Sequence, residues 1–117
     1  MLFRSSRYEF YHKKETRIPF DIEYLNKITK GGVPRKTLNV LLAGTGVGKS
    51  LFMCHCAASN ITAGKNVLYI TMEMAEERIA ERIDANLMNM GLDQIAIMPR
   101  DSFLKKLEKI KIGRAHV

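Results

Sequence analysis

The chain is 117 residues long, with 46% hydrophobic and 26% charged residues and a formal charge of +7, which is about one small domain. No apolar run approaches the roughly 20 residues of a membrane span, no tract is of low complexity or repeated, and the first residues lack a secretory apolar core. Membrane-embedded, fibrous and secreted classes drop out, and the expectation is an intracellular protein with no membrane partner. The basic excess sits at the ends: five Lys/Arg face two acids in residues 1–19 and six face two in residues 100–117, while residues 20–99 hold eight of each sign. A balanced middle argues only weakly for a nucleic-acid face.

In chain order, residues 1–19 read as an arm or linker. Phe3, Tyr8, Phe10 and Tyr11 are mixed with basic residues, which suits either a short helix docking on a neighbour or a poorly ordered start. Asp21 to Ile28 sets Ile22, Leu25 and Ile28 at helical spacing, with Pro19 before and Gly31-Gly32 after as start and stop signals. Val33-Pro34-Arg35-Lys36 then turns the chain into Thr37-Leu-Asn-Val-Leu-Leu-Ala43, a predicted strand.

The next segment is the most informative. Ala43, Gly44, Thr45, Gly46, Val47, Gly48, Lys49 and Ser50 stand between that strand and a helix-forming run to Ala63. Strand, glycine-rich turn and helix are the context a phosphate-binding loop requires. Backbone N–H groups of residues 44–50 can curl around an anion, with the positive end of the helix behind them. Lys49 would reach the β- and γ-phosphates and Ser50 would hold Mg²⁺ through its hydroxyl. The strict pattern opens on glycine and here Ala43 opens it, but alanine is small enough for the turn. The plain alternative is an ordinary glycine-rich turn.

The helix after the loop carries Leu51, Phe52, Met53, Cys54, Cys56, Ala57 and Ala58 and is apolar nearly all round, so burial is expected. Cys54 and Cys56 flank His55, but residues two apart on a helix diverge, which makes a poor metal site and favours buried reduced thiols. Ala63-Gly64-Lys65-Asn66 breaks the helix, and Val67-Leu-Tyr-Ile-Thr-Met72 reads as a fully buried strand. Glu73 then lies 24 residues after Lys49, at the predicted strand end, where working groups of open α/β sheets sit. A carboxylate there can orient or deprotonate an attacking water. On spacing alone it is equally a solvated acid opening the next helix.

Ala75 to Met90 is amphipathic, with Ile79, Ile83 and Leu87 inward, Glu76, Glu77, Glu81 and Asp84 outward, and Gly91 as its stop. Gln94–Asp101 is tempting as a strand ending in a metal-supporting aspartate, but Pro99-Arg100 interrupts it before the acid and the reading is rejected. Asp101 to Ile110 makes another helix, Phe103, Leu104, Leu107 and Ile110 inward, with Lys105, Lys106 and Lys109 on a solvated face. Residues 112–117 (Ile-Gly-Arg-Ala-His-Val) can be encoded by ATC GGA AGA GCA CAC GTC, which looks like a sequencing adapter read in frame. They are set aside, a genuine basic C-terminus being the alternative, leaving 20–111 as the domain.

Asp21–Gly32, the Ala43–Ser50 loop and Thr71-Met-Glu-Met74 followed by Arg82 together resemble the C-terminal motor domain of DnaB-type hexameric replicative helicases, and residues 8–90 look most like the form found in large tailed bacteriophages. The resemblance implies an α/β fold, a RecA-like P-loop NTPase whose parallel sheet is flanked by helices, with only the N-terminal part of the domain in this chain. It implies ATP and Mg²⁺, a homo-hexamer around single-stranded or forked DNA, a primase and a helicase loader as partners, and the cytoplasm of a bacterial host. It gives Glu73 the role of catalytic base and Arg82 a place among the nucleotide-site residues. The plain reading of Arg82 is a surface partner for Glu81 or Asp84. The metal-supporting aspartate, the DNA-contacting loops and the arginine finger have no counterpart here, so this chain alone is not expected to fold stably or to unwind DNA. A RecA- or KaiC-like ATPase, as recombinase or switch, stays open beside the helicase, as does a non-catalytic polypeptide.

Overall fold

The computed structural model describes residues 2–13, 16–110 and 115–116. The chain divides into two compact units, Met1–Val40 and Leu41–Val117.

The first unit opens with α1 (Leu2–His12), so the arm is helical. Tyr8, Phe10 and Tyr11 are exposed along it. Strand β1 (Arg17–Ile18) pairs antiparallel with β2 (Val33–Pro34), Arg17 opposite Pro34 and Ile18 opposite Val33. Between them lies α2 (Glu23–Ile28), where the periodicity placed a helix. Side chains bonded to backbone hold this turn. Asn26 accepts from the Phe20 N–H and donates to the Phe20 carbonyl, both at 2.8 Å. Thr29 donates to the Leu25 carbonyl at 2.6 Å and accepts the Gly32 N–H at 3.0 Å. Arg17 donates to the carbonyls of Thr29 and Gly32, each at 3.3 Å. Helix α2 stops because Lys30 turns left-handed at φ 57° and the Gly31 N–H reaches back to the Asn26 carbonyl at 2.8 Å, the 6→1 bond of a Schellman end. Gly32, at φ 115°, lies so close to the Ile18 carbonyl and Pro19 that a Cβ would overlap them. This is a requirement for space as well as for backbone angle.

The second unit holds the apolar core. Helix α3 (Lys49–Thr62) contributes Cys54, Ala57, Ala58 and Ile61, and α4 (Glu76–Met88) contributes Ile79 and Ile83. Val67, Tyr69, Met74 and Leu87 pack around this cluster. Burying each isoleucine is worth about 1.5–3 kcal/mol. The expected all-round burial of α3 is corrected. Leu51 and Met53 remain exposed, because α4 and β3 (Val67–Leu68) cover only part of its circumference. Gly64 at φ 82° ends α3, as the break signals indicated. Helix α4 ends two residues earlier than expected. Asn89 takes the left-handed position at φ 52°, ψ 48° and the Met90 N–H returns to the Ala85 carbonyl at 2.9 Å. Gly91 instead opens α5 (Leu92–Ala96), its N–H donating to the Gln94 side chain at 3.0 Å. Residues 94–96 are thus helical, which agrees with rejecting a strand there. Helix α6 (Arg100–Lys109) follows Pro99 at its N-terminus, though Leu104, expected inward, is exposed.

The sheet departs most from expectation. No regular strand forms over 37–43, and the second predicted strand shrinks to β3, paired in parallel with β4 (Ala115–His116), Val67 opposite Ala115 and Leu68 opposite His116. Leu38 and Leu42 are more than nine-tenths exposed, and Leu68, Ile70 and Met72 lie open while Val67 and Tyr69 face the core. A parallel strand stays ordered when neighbours take its N–H and C=O groups and helices cover both faces. Here α3 and α4 supply one layer, and among the described residues the other face has none. Of the segment set aside at the C-terminus, Ala115 and His116 form β4; Ile112, Gly113, Arg114 and Val117 lie outside the described residues.

Candidate functional site

The glycine-rich loop lies within the second unit and ends at the start of α3. Gly46 and Gly48 have φ of 75° and 102°, and a Cβ on either would meet nothing within 4 Å. What the loop demands of these two positions is therefore backbone angle, not room. Gly48 caps α3 in the left-handed conformation, and no side chain bonds the cap. The first-turn N–H groups are left to other acceptors, next to the positive end of a 14-residue helix. Gly44, Thr45, Gly46 and Val47 are exposed, Ala43 and Ser50 are half-buried, and Lys49, the first residue of α3, is exposed. An oxyanion seated on this turn would meet backbone donors, an ammonium and a hydroxyl together, and that donor set fits a nucleotide polyphosphate and its Mg²⁺.

Glu73 does not cap a strand, since β3 ends at Leu68. It projects from a short turn braced by Thr71, whose hydroxyl donates to the Met74 carbonyl at 2.8 Å and accepts the Met74 N–H at 3.2 Å. The carboxylate is exposed and makes no ion pair with a described residue. The loop and Glu73 are thus carried by one packed unit, on elements flanking a common core, and no direct bond joins them.

Arg82 is half-buried on α4. The ion pair available to Glu81 goes to Arg78 instead, at 3.3 Å, so the surface pairing with Glu81 is not the one that forms. Arg82 lines an open cleft with Leu51 and His55 of α3 and Ala85, Asn86 and Asn89 of α4 and its cap. This places it beside the loop end of α3. It also acts on Tyr69. Burial pushes the Tyr69 phenol up, the Cys54 thiol adds to that by charge and by a hydrogen bond, and the Arg82 guanidinium pulls it down.

The two cysteines of the Cys-His-Cys run sit in different surroundings. Both cysteines are free, Cys54 buried and Cys56 half-buried, and burial pushes the Cys56 thiol up, away from the reactive thiolate range. Two residues at this junction escaped the sequence reading, Tyr69 and Asn86, and His55 was weighed only as a metal ligand. Asn86 donates to His55 Nδ1 at 3.0 Å across 31 residues of chain. The available signal was a phenol inside an apolar strand and an imidazole inside an apolar helix, each needing a polar partner.

Residues 18–104 match the ATPase family described as KaiC. Over 90 residues, 77% of this chain and 19% of the other, the chain is 54% identical to a DnaB-like replicative helicase of Enterobacteria phage T4. It is 32% identical to a DNA repair protein RadA of Rickettsia felis over 84% of its length and 22% of that protein's, and 30% identical to the RadA of Campylobacter jejuni over 80% and 21%. The chain therefore spans about a fifth of the length of the curated relatives it matches.

Proposed function

The chain belongs to the KaiC ATPase family, with its RecA-like P-loop fold, and from that membership we propose that it is part of the ATP-driven motor of a replicative DNA helicase. The observation that carries the nucleotide site is the uncapped N-terminus of α3, with Gly46 and Gly48 left-handed before it and Lys49 and Ser50 in its first turn. The backbone from Ala43 to Ser50, through Gly44, Thr45, Gly46, Val47 and Gly48, cradles the phosphates. Lys49 reaches the β- and γ-phosphates and Ser50 holds Mg²⁺, which when bound neutralises phosphate charge. Glu73 accepts the proton of the attacking water, and Arg82 contributes its charge from the cleft beside α3. The likeness to a replicative helicase supports DNA as the track, a homo-hexameric parent, a primase and loader as partners, and cytoplasmic work in a bacterial host. No described helix is long and apolar enough to cross a membrane.

A second reading, a recombinase or switch ATPase of the same family, is favoured by the RadA likeness over more than 80% of the chain. ATP turnover and forked-DNA unwinding by the full-length protein separate the two. Glu73→Gln is expected to lower turnover by about 10²–10⁴-fold while nucleotide still binds, and Lys49→Ala to weaken nucleotide binding itself. Turnover that survives both substitutions removes this site from consideration. Turnover with filaments on DNA and no strand separation transfers the assignment to the recombinase reading. No nucleotide binding at all leaves a non-catalytic chain.

A further inference from the structure

Glu73 lies inside a closed turn. The Thr71 hydroxyl donates to the Met74 carbonyl at 2.8 Å and accepts the Met74 N–H at 3.2 Å. One side chain thus ties down both backbone polar groups of the residue three positions on, with Glu73 between them. Among the described residues no other hydrogen bond reaches the stretch 70–74. Strand β3 has already ended at Leu68, and the first backbone bonds leading into α4 start from the Ala75 carbonyl. Packing does not take over this task. Met72 is 98% exposed and Glu73 is exposed, and within 70–74 the hydrophobic side chain packed against the core of α3 and α4 is Met74. The core therefore fixes Met74, and the hydroxyl passes that constraint back across Glu73 to Thr71. Threonine suits the task, since its hydroxyl bonds nearby backbone and its branched Cβ makes χ1 stiff.

We propose that Thr71 is the positioning residue for Glu73, its hydroxyl holding the carboxylate-bearing turn in one place relative to Lys49 and Ser50 of α3. The inference rests on reading Glu73 as the acceptor of the proton from the attacking water. A base must come within about 2.6–3.2 Å of the atom whose proton it takes. Without the hydroxyl the backbone of Met72 and Glu73 has no bond to limit it, and the carboxylate spreads over many positions. A misplacement of about 1 Å at a reacting centre can cost about 10²-fold in rate. The nucleotide is held by the loop and Lys49, not by this turn, so loss of Thr71 should be read in kcat and not in affinity.

The experiment measures kcat, KM for ATP and melting temperature in the full-length protein. Thr71→Val keeps the branched shape and removes the hydroxyl, whereas Thr71→Ser keeps the hydroxyl. Thr71→Val is expected to lower kcat about 5–50-fold with KM within about twofold. Thr71→Ser should stay within about threefold of the wild type in both. Thr71→Ala gives the same readout should Thr71→Val disturb folding. Added to Glu73→Gln, Thr71→Val should lower turnover no further, because no base is then left to place. Wild-type kcat in both Thr71→Val and Thr71→Ala overturns the assignment. So does a loss in Thr71→Ser as deep as that in Thr71→Val, or an effect of Thr71→Val that is additive with Glu73→Gln. Glu73→Gln alone serves as the separate arm. If it turns over ATP like the wild type, the reading of Glu73 has failed and the role of Thr71 falls with it.

Discussion

The two units reach order by opposite routes. Every buried apolar side chain among the described residues lies in the second unit, shared between α3 and α4. In the first, the buried position among the described residues is a glycine, Gly32, and shape depends on side chains bonded to backbone: Asn26 to Phe20, Thr29 to Leu25 and Gly32, Arg17 to Thr29 and Gly32. Directional bonds specify a turn without needing mass, but each nets only about 1 kcal/mol. Apolar burial is blind to direction and larger per residue. The difference teaches where damage should spread and where it should stay local.

The strongest way to break the contrast is Ile61→Ala. Ile61 is fully buried, and a cost of about 2–5 kcal/mol is expected. Hydrogen exchange should lose protection along α3 and α4 and stay unchanged at the Phe20 amide. Loss at both would show that the units share one stability. Gly32→Ala comes next, at about 1–3 kcal/mol, from the left-handed angle and the overlap with Ile18. Limited proteolysis should then open the segment from Arg17 to Lys36 while α3 and α4 stay protected. Asn26→Ala, removing two 2.8 Å bonds, should cost about 1–2 kcal/mol, seen as faster exchange at Phe20.

The smallest effect concerns Asp84. Burial raises its carboxyl above the ordinary aspartate range, so the folded state binds that proton more tightly than the unfolded. The sign follows: its contribution favours folding at low pH and is lost as pH rises from the unfolded value through the folded one. At neutral pH Asp84→Asn should raise the melting temperature slightly, by well under about 1 kcal/mol after solvent screening, and have no effect in strong acid. A destabilising Asp84→Asn would mean that the carboxylate has a partner worth more than its desolvation.

Helices were legible wherever a local signal carried them. The Ile22, Leu25, Ile28 spacing found α2, and Ile79, Ile83 and Leu87 found the buried face of α4. The left-handed turn before α3 was legible because Gly46 and Gly48 encode backbone angles. Strands were not, since Leu38, Val40 and Leu42 have strand chemistry but pairing depends on neighbours that local pattern does not contain. The end of α4 was misread because Asn89, not Gly91, took the left-handed slot, a role asparagine can fill. The His55–Asn86 bond was invisible for a different reason: it joins residues 31 apart in sequence, and periodicity speaks only within one element.

The open stripe at Leu68, Ile70 and Met72 has a practical consequence. Side chains two apart on one face present apolar area that a single molecule leaves wet, and two molecules meeting there bury it mutually. Such an encounter is second order in protein, so dilution should protect the sample more than cooling, which weakens apolar attraction only gradually.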